Sequence, residues 1–123
     1  MDSLEEYREQ QIAALRRQGE QNLQQVRAQL RERMEVFCNE KIAKLQETIR
    51  KNNEDAIASF NQGSAALEEK RRQGGKWHSY LLEAEERYLK LMLDSTLEGN
   101  RNILDASIGA IKRQLQAYRR SLD

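Results

Sequence analysis

Catalytic chemistry in this chain would have to start from His78, its one histidine, or Cys38, its one cysteine. Neither sits in a pattern that such chemistry uses. A serine–histidine–acid site has only His78 to draw on. A di-iron bundle needs a glutamate three residues before each liganding histidine, and position 75 is glycine. There is no cysteine–histidine zinc spacing, no phosphate-binding loop and no dinucleotide glycine motif. Glu83, Glu85 and Glu86 form an acidic group, but on a charged helix such a group is ordinarily a solvated face. The residues therefore point to a non-enzymatic protein, with no catalytic residue, metal ligand set, cofactor or small-molecule substrate.

Two further features carry a functional and a plainer reading. Cys38 follows Phe37 and lies four residues before Ile42, which suits a small apolar side chain at the edge of a core. A redox or interchain thiol is the other reading, and a reducing compartment disfavours it. Lys70, Arg71, Arg72, Lys76, Trp77 and His78 gather four cations and an indole around Gly74-Gly75. Such a tip could meet phosphate, anionic lipid or an acidic partner. The plainer reading is a set of basic residues that complements a helix C-terminus, next to a tryptophan that closes a core. Lys112-Arg113 and Arg119-Arg120 alternate with Ile111, Leu115 and Tyr118 in the same double sense.

Composition separates these readings. Lys and Arg number 21 and Asp and Glu 20, for a net charge of +1, where a dedicated nucleic-acid binder carries a strong basic excess. Over residues 1–72 the 13 acidic and 13 basic side chains cancel. Nucleic acid or an anionic membrane is thus a secondary expectation. The first residues lack a basic region followed by an apolar run, and no run approaches the ~18 apolar residues of a membrane span. A soluble, cytoplasmic protein is the expectation.

The elements that must position these residues are helices. There is no proline, 33% of residues are charged and mean hydropathy is −0.92. Polarity of this order also marks disorder, but regular apolar spacing decides for helix. Ser3 with Glu6 forms a capping-box pattern. A first helix over about 3–72 follows, roughly 105 Å long. Asn52-Asn53 and Asn61-Gln62-Gly63-Ser64 are its weak points. Its apolar line steps by threes and fours through Leu23, Val26, Leu30, Met34 and Phe37. It continues through Ile42, Leu45, Ile49, Ala56, Phe60 and Leu67, with Asn53 in one slot. The doubled fours give a period nearer 11 than 7, so little left-handed supercoil is expected.

Residues 73–76 form a turn in which Gly74 or Gly75 can take a left-handed cap. A second helix spans about 77–122, with a break expected near 99–102 at Gly99-Asn100-Arg101-Asn102. Its end carries a clean repeat at Leu104, Ile108, Ile111, Leu115, Tyr118 and Leu122. A short connection makes the two helices antiparallel neighbours. The fold is thus an all-α, long antiparallel hairpin. It forms a single domain over 1–123, with residues 1–26 as a glutamine-rich arm overhanging it.

A hairpin alone leaves too much apolar surface. Trp77, Leu81, Tyr88 and Met92 make one stripe, and Leu82, Leu89, Leu93 and Leu97 a second beside it. One neighbouring helix covers one stripe. Leu82, Leu89, Leu93, Leu97, Tyr88 and Met92 are therefore the expected oligomer interface. Pairing two hairpins into a bundle or coiled-coil oligomer is the favoured state, with a hetero-complex with another helical protein as the alternative. Leu4, Ile12, Leu15 and Leu23 mark the arm as a docking segment. The functional expectation is a structural or adaptor subunit.

Overall fold

The structure is a computed structural model. It describes the backbone of residues 2–74 and 76–123 and the side chains of residues 3–74 and 79–123. Helix α1 is Asp2–Gln73 and helix α2 is Lys76–Leu122. They pack against each other as a helical hairpin, with no strand among the described residues. Absence of proline leaves no backbone position where the helical hydrogen-bond ladder must fail. Ser3 lies inside the first turn of α1 and not at its cap, because the helix already begins at Asp2. Gly74 does not adopt a left-handed conformation, and Gly75 lies outside the described residues.

The chain divides into two compact units. One comprises Met1–Asn39 with Lys112–Asp123, the other Glu40–Ile111. In the second unit the covered line of α1 is Ile42, Leu45, Ile49, Asn53, Ala56, Phe60 and Leu67. That of α2 is Leu82, Glu86, Leu89, Leu93, Leu97, Asn100, Leu104, Ile108 and Ile111. Both lines repeat every eleven residues: 45, 56 and 67 on α1; 82, 93 and 104 on α2. Eleven residues in three turns is about 3.67 per turn, so each line stays on one face of a nearly ideal helix. Ile49, Leu67 and Leu82 are the buried residues of this unit, Leu82 at 3% exposure.

Neither expected weak point interrupts a helix. α1 runs through Asn61–Ser64 and α2 runs through Gly99–Asn102. Packing accounts for this. A Cβ built on Gly63 would stand 2.9 Å from Leu89 Cδ1, so the glycine is where a leucine of α2 seats against the α1 backbone. Asn100 Nδ2 donates to Asn53 Oδ1 at 3.0 Å in a part-buried setting. The low helix propensity of these asparagines is offset by a polar contact across the hairpin, a device that fixes register in paired helices. The break expected near 99–102 is therefore overridden by tertiary contact.

In the first unit the covered line of α1 is Arg27, Arg31, Met34 and Cys38. Leu115 and Leu122 are its counterparts on α2. Asp123 accepts from Arg31, and Arg119 pairs with Glu35 at 2.7 Å. This corrects the expected line. Leu23, Val26, Leu30 and Phe37 are exposed, and the covered line runs one residue beyond them. Counting back eleven from Ile49 gives Cys38, and eleven more gives Arg27. The more apolar line is thus not the covered one. Cys38 is 8% exposed and packs as a small apolar group, while Arg27 and Arg31 are half-buried, as long charged side chains can be when their stems cover apolar surface. Every residue from 3 to 26 is exposed.

Glycine substitutions separate close approach from idle flexibility. Gly19 and Gly99 have nothing within 4 Å of a built Cβ. Gly19→Ala and Gly99→Ala should each stabilise by up to about 1 kcal/mol. Gly63→Leu should destabilise by roughly 1–3 kcal/mol through overpacking against Leu89. Urea melts followed by circular dichroism check both signs.

Candidate functional site

The residues of the expected interface part company in the structure. Leu82, Leu89, Leu93 and Leu97 lie on the covered line of α2, inside the hairpin. Tyr88 and Met92 lie on an outer face of the same helix and are exposed. Leu81 and Ile103 extend that face, at 65% and 61% exposure. Leu81, Met92 and Ile103 stand eleven apart, as do Tyr88, Gly99 and Ala110. The outer face of α2 therefore repeats with the period of the inner one, displaced by one residue. Ile103 was legible in this arithmetic, eleven residues beyond Met92, but a period-seven reading passes over it.

The first unit carries a comparable face on α1. Leu4, Tyr7, Ile12 and Leu15 form an apolar patch on a single helix, with Glu5, Arg8 and Gln11 also lining it. Leu4 is 74% exposed and Leu15 66%. Leu23, Val26 and Leu30 continue the face, also exposed. Three of the four docking-arm candidates, Leu4, Ile12 and Leu15, are thus brought together in the patch, and Leu23 follows on the same line. Tyr7 belongs with them, and its place three residues after Leu4 is the signal for it.

The basic tip is different in character. Arg71 donates to Glu68 at 2.9 Å and to Glu86 across the turn. Lys70 lies 3.9 Å from Glu85, and Arg72 3.7 Å from Glu69. Each of these three cations has a carboxylate beside it, so the local field that would attract an anion is largely cancelled. Lys76, Trp77 and His78 lie outside the described residues as side chains. Of the acidic group, Glu85 and Glu86 hold the turn's cations, and Glu83 lies 3.9 Å from Arg87.

Hydrogen bonding from Arg71 holds the Glu86 carboxyl below its ordinary value, and the charges of Arg71 and Lys90 act in the same sense. The Arg71 guanidinium is raised, first through its bond to Glu86. Farther along α1, Arg50 bonds Glu47 at 2.6 and 2.8 Å and also reaches Glu54. That bond lowers the Glu47 carboxyl. These pairs are exposed, and exposed pairs of this kind add little to stability individually.

Among the described residues no group of three or more His, Cys, Asp and Glu side chains is placed to hold a metal ion. No helix is long and apolar enough to cross a membrane. Two stretches of the described surface carry exposed apolar side chains at helical spacing: one on α2 between Leu81 and Ile103, another on α1 between Leu4 and Leu30. No protein-family model, curated protein or solved structure matches the chain.

The tip makes a signed prediction. A carboxyl lowered in the folded state stabilises it above the ordinary value near 4.5 and loses that contribution as pH falls through the lowered value. The thermal midpoint should therefore drop as pH is taken from 6 to below ~4. Glu86→Gln should have a lower midpoint than the parent at pH 6, with the gap closing in acid. Melts by circular dichroism across this range read the difference.

Proposed function

We propose that this chain is a non-enzymatic structural or adaptor subunit that assembles with other helices through its outer apolar faces. The supporting observation is the repeat itself. The eleven-residue spacing that packs the hairpin's interior recurs, one residue displaced, on faces that are exposed among the described residues: Leu81, Met92 and Ile103 on α2, and Leu4, Leu15 and Val26 on α1. Fully burying such a side chain is worth ~1.5–3 kcal/mol. A face of several residues thus favours association by more than its ordering cost in a helix already formed. Scattered exposed leucines need no explanation, but a continuous helical line of them marks a contact surface.

The paired state of Lys70, Arg71 and Arg72 argues against an anion-binding tip as the principal activity. The arrangement favours assembly: an inner face that pairs the two helices, and outer faces that are open to a further helix. Mixed-sign charges along the remaining surface keep it soluble and set no strong preference for a highly charged partner.

Light scattering on the purified chain at about 100 µM should give a mass at least twice the 14.4 kDa of one chain. The double variant Leu15→Asp with Met92→Asp should remain helical and run at the mass of one chain. A folded parent protein at single-chain mass over this concentration range would contradict self-assembly.

A further inference from the structure

We infer that this chain has a second folded state, an open dimer in which α1 and α2 run on as one helix and pair antiparallel with a second copy through the hairpin's own inner line. The contact uses the covered face, so it neither needs nor replaces assembly through the outer faces. The supporting observation is phase. On α1, Cys38, Ile49 and Phe60 are covered at eleven-residue steps. Two further steps from Phe60 reach Leu82, and single steps then reach Leu93, Leu104 and Leu115, all covered on α2. Asn53 and Ser64 lead in the same way to Glu86 and Leu97, and Ala56 and Leu67 to Leu89 and Asn100. Arg71, Gly75 and His78 fill the slots between by count, the last two lying outside the described residues as side chains. Rows in step at about 3.67 residues per turn lie on one face of an uninterrupted helix. A hairpin does not require this: one residue more in the connection would pair the same faces and put α2 out of phase.

The hairpin's contacts fix how a second copy would sit. Asn53–Asn100, Gly63–Leu89 and Glu35–Arg119 are each centred in sequence on residues 76–77. Two extended copies that cross there, antiparallel, bring Asn53 of each beside Asn100 of the other. Leu89 of each meets Gly63 of the other. Every contact between α1 and α2 is remade between copies, and the two-fold axis makes each of them twice. An unrelated helix would need an amide at the level of Asn53 and, eleven residues away, a leucine at Gly63. A second copy carries both in place. The covered line from 27 to 67 is about 60 Å long, so two such pairings about 10 Å wide bury roughly 2,400 Å². That is the size of an obligate dimer interface.

Because the contacts are the same in both states, the connection and the concentration decide between them. A short connection gives pairing within one chain an effective concentration on the order of mM, so the hairpin prevails in dilute solution. The open dimer must also carry Gly74 and Gly75 inside a helix, where each glycine disfavours it about fivefold relative to alanine. Gly74 is not left-handed in the hairpin, so an alanine there is compatible with either state.

Gly74→Ala with Gly75→Ala tests this by light scattering, in the full-length Leu15→Asp, Met92→Asp background that removes the outer faces. Four glycines are replaced per dimer, so the concentration of half-dimerisation should fall several hundredfold, to the order of µM. At about 100 µM the variant should run at twice 14.4 kDa. Single-chain mass there overturns the inference and leaves outer-face assembly untouched. Gly74→Ala alone should lower the same midpoint about twenty-five-fold; an unchanged midpoint overturns the inference even where the double variant precipitates. Spin labels at Asn61→Cys or Arg72→Cys, each with Cys38→Ser, read the crossing point. These exposed positions are eleven apart and share a face. For a crossing at 76–77 their inter-copy separations along the axis are about 46 Å and 14 Å. Position 61 should therefore show the longer distance by about 20 Å; equal distances, or none, overturn the open dimer. One alanine inserted after position 74 of the double variant turns the line of α2 by about 100° and should restore single-chain mass. A dimer that survives the insertion contradicts the phase argument.

Discussion

Two helices can hide only two faces. In this chain each helix carries a second apolar line displaced by one residue from the first, about 100° around the axis. The hairpin covers one and leaves the other in water. Most of what distinguishes the molecule follows from that shortage. Its interior is a thin row of side chains in which, among the described residues, Cys38, Ile49, Leu67 and Leu82 are buried. A row of this kind aligns two helices but cannot form a core of the thickness that sustains a globular domain.

The row is tuned along its length. In the second unit it is leucine and isoleucine, with Gly63 seating Leu89 and the Asn53–Asn100 bond setting register. In the first unit it changes to Arg27, Arg31, Met34 and Cys38, and its closing contacts are ionic. The apolar residues there have moved to the outer line. A helix that gives its better hydrophobic face to solvent and its arginines to its own partner is the arrangement on which the proposed contact beyond the hairpin rests. The neutral flank of glutamines and the near balance of charge leave that contact to shape and spacing.

The helices and their antiparallel pairing were legible in the sequence because spacing, absence of proline and the double glycine all agree. The line from Ile42 to Leu67 was legible too, since there only one apolar row exists. Ambiguity entered where two rows run side by side. Over residues 23–37 hydrophobicity alone picks the stronger row, and the stronger row is the outer one. On α2 both rows were visible, but the choice between them depends on which faces α1. Gly99 and Asn100 read as a break because propensity is local, and the bond from Asn100 to Asn53 spans 47 positions. At the turn, the basic residues were evident, but their pairing with Glu85 and Glu86 required the fold.

Amide hydrogen exchange along α1 tests the central claim most directly, since a lone exposed helix opens readily at its ends while a covered one does not. Residues 4–26 are all exposed among the described residues. If a second helix covers them, their exchange should be slow at high protein concentration and should quicken on dilution, while residues 45–67 stay unchanged. Fast exchange of residues 4–26 at every concentration would contradict the account, because the outer face would then be bare in the state the protein adopts.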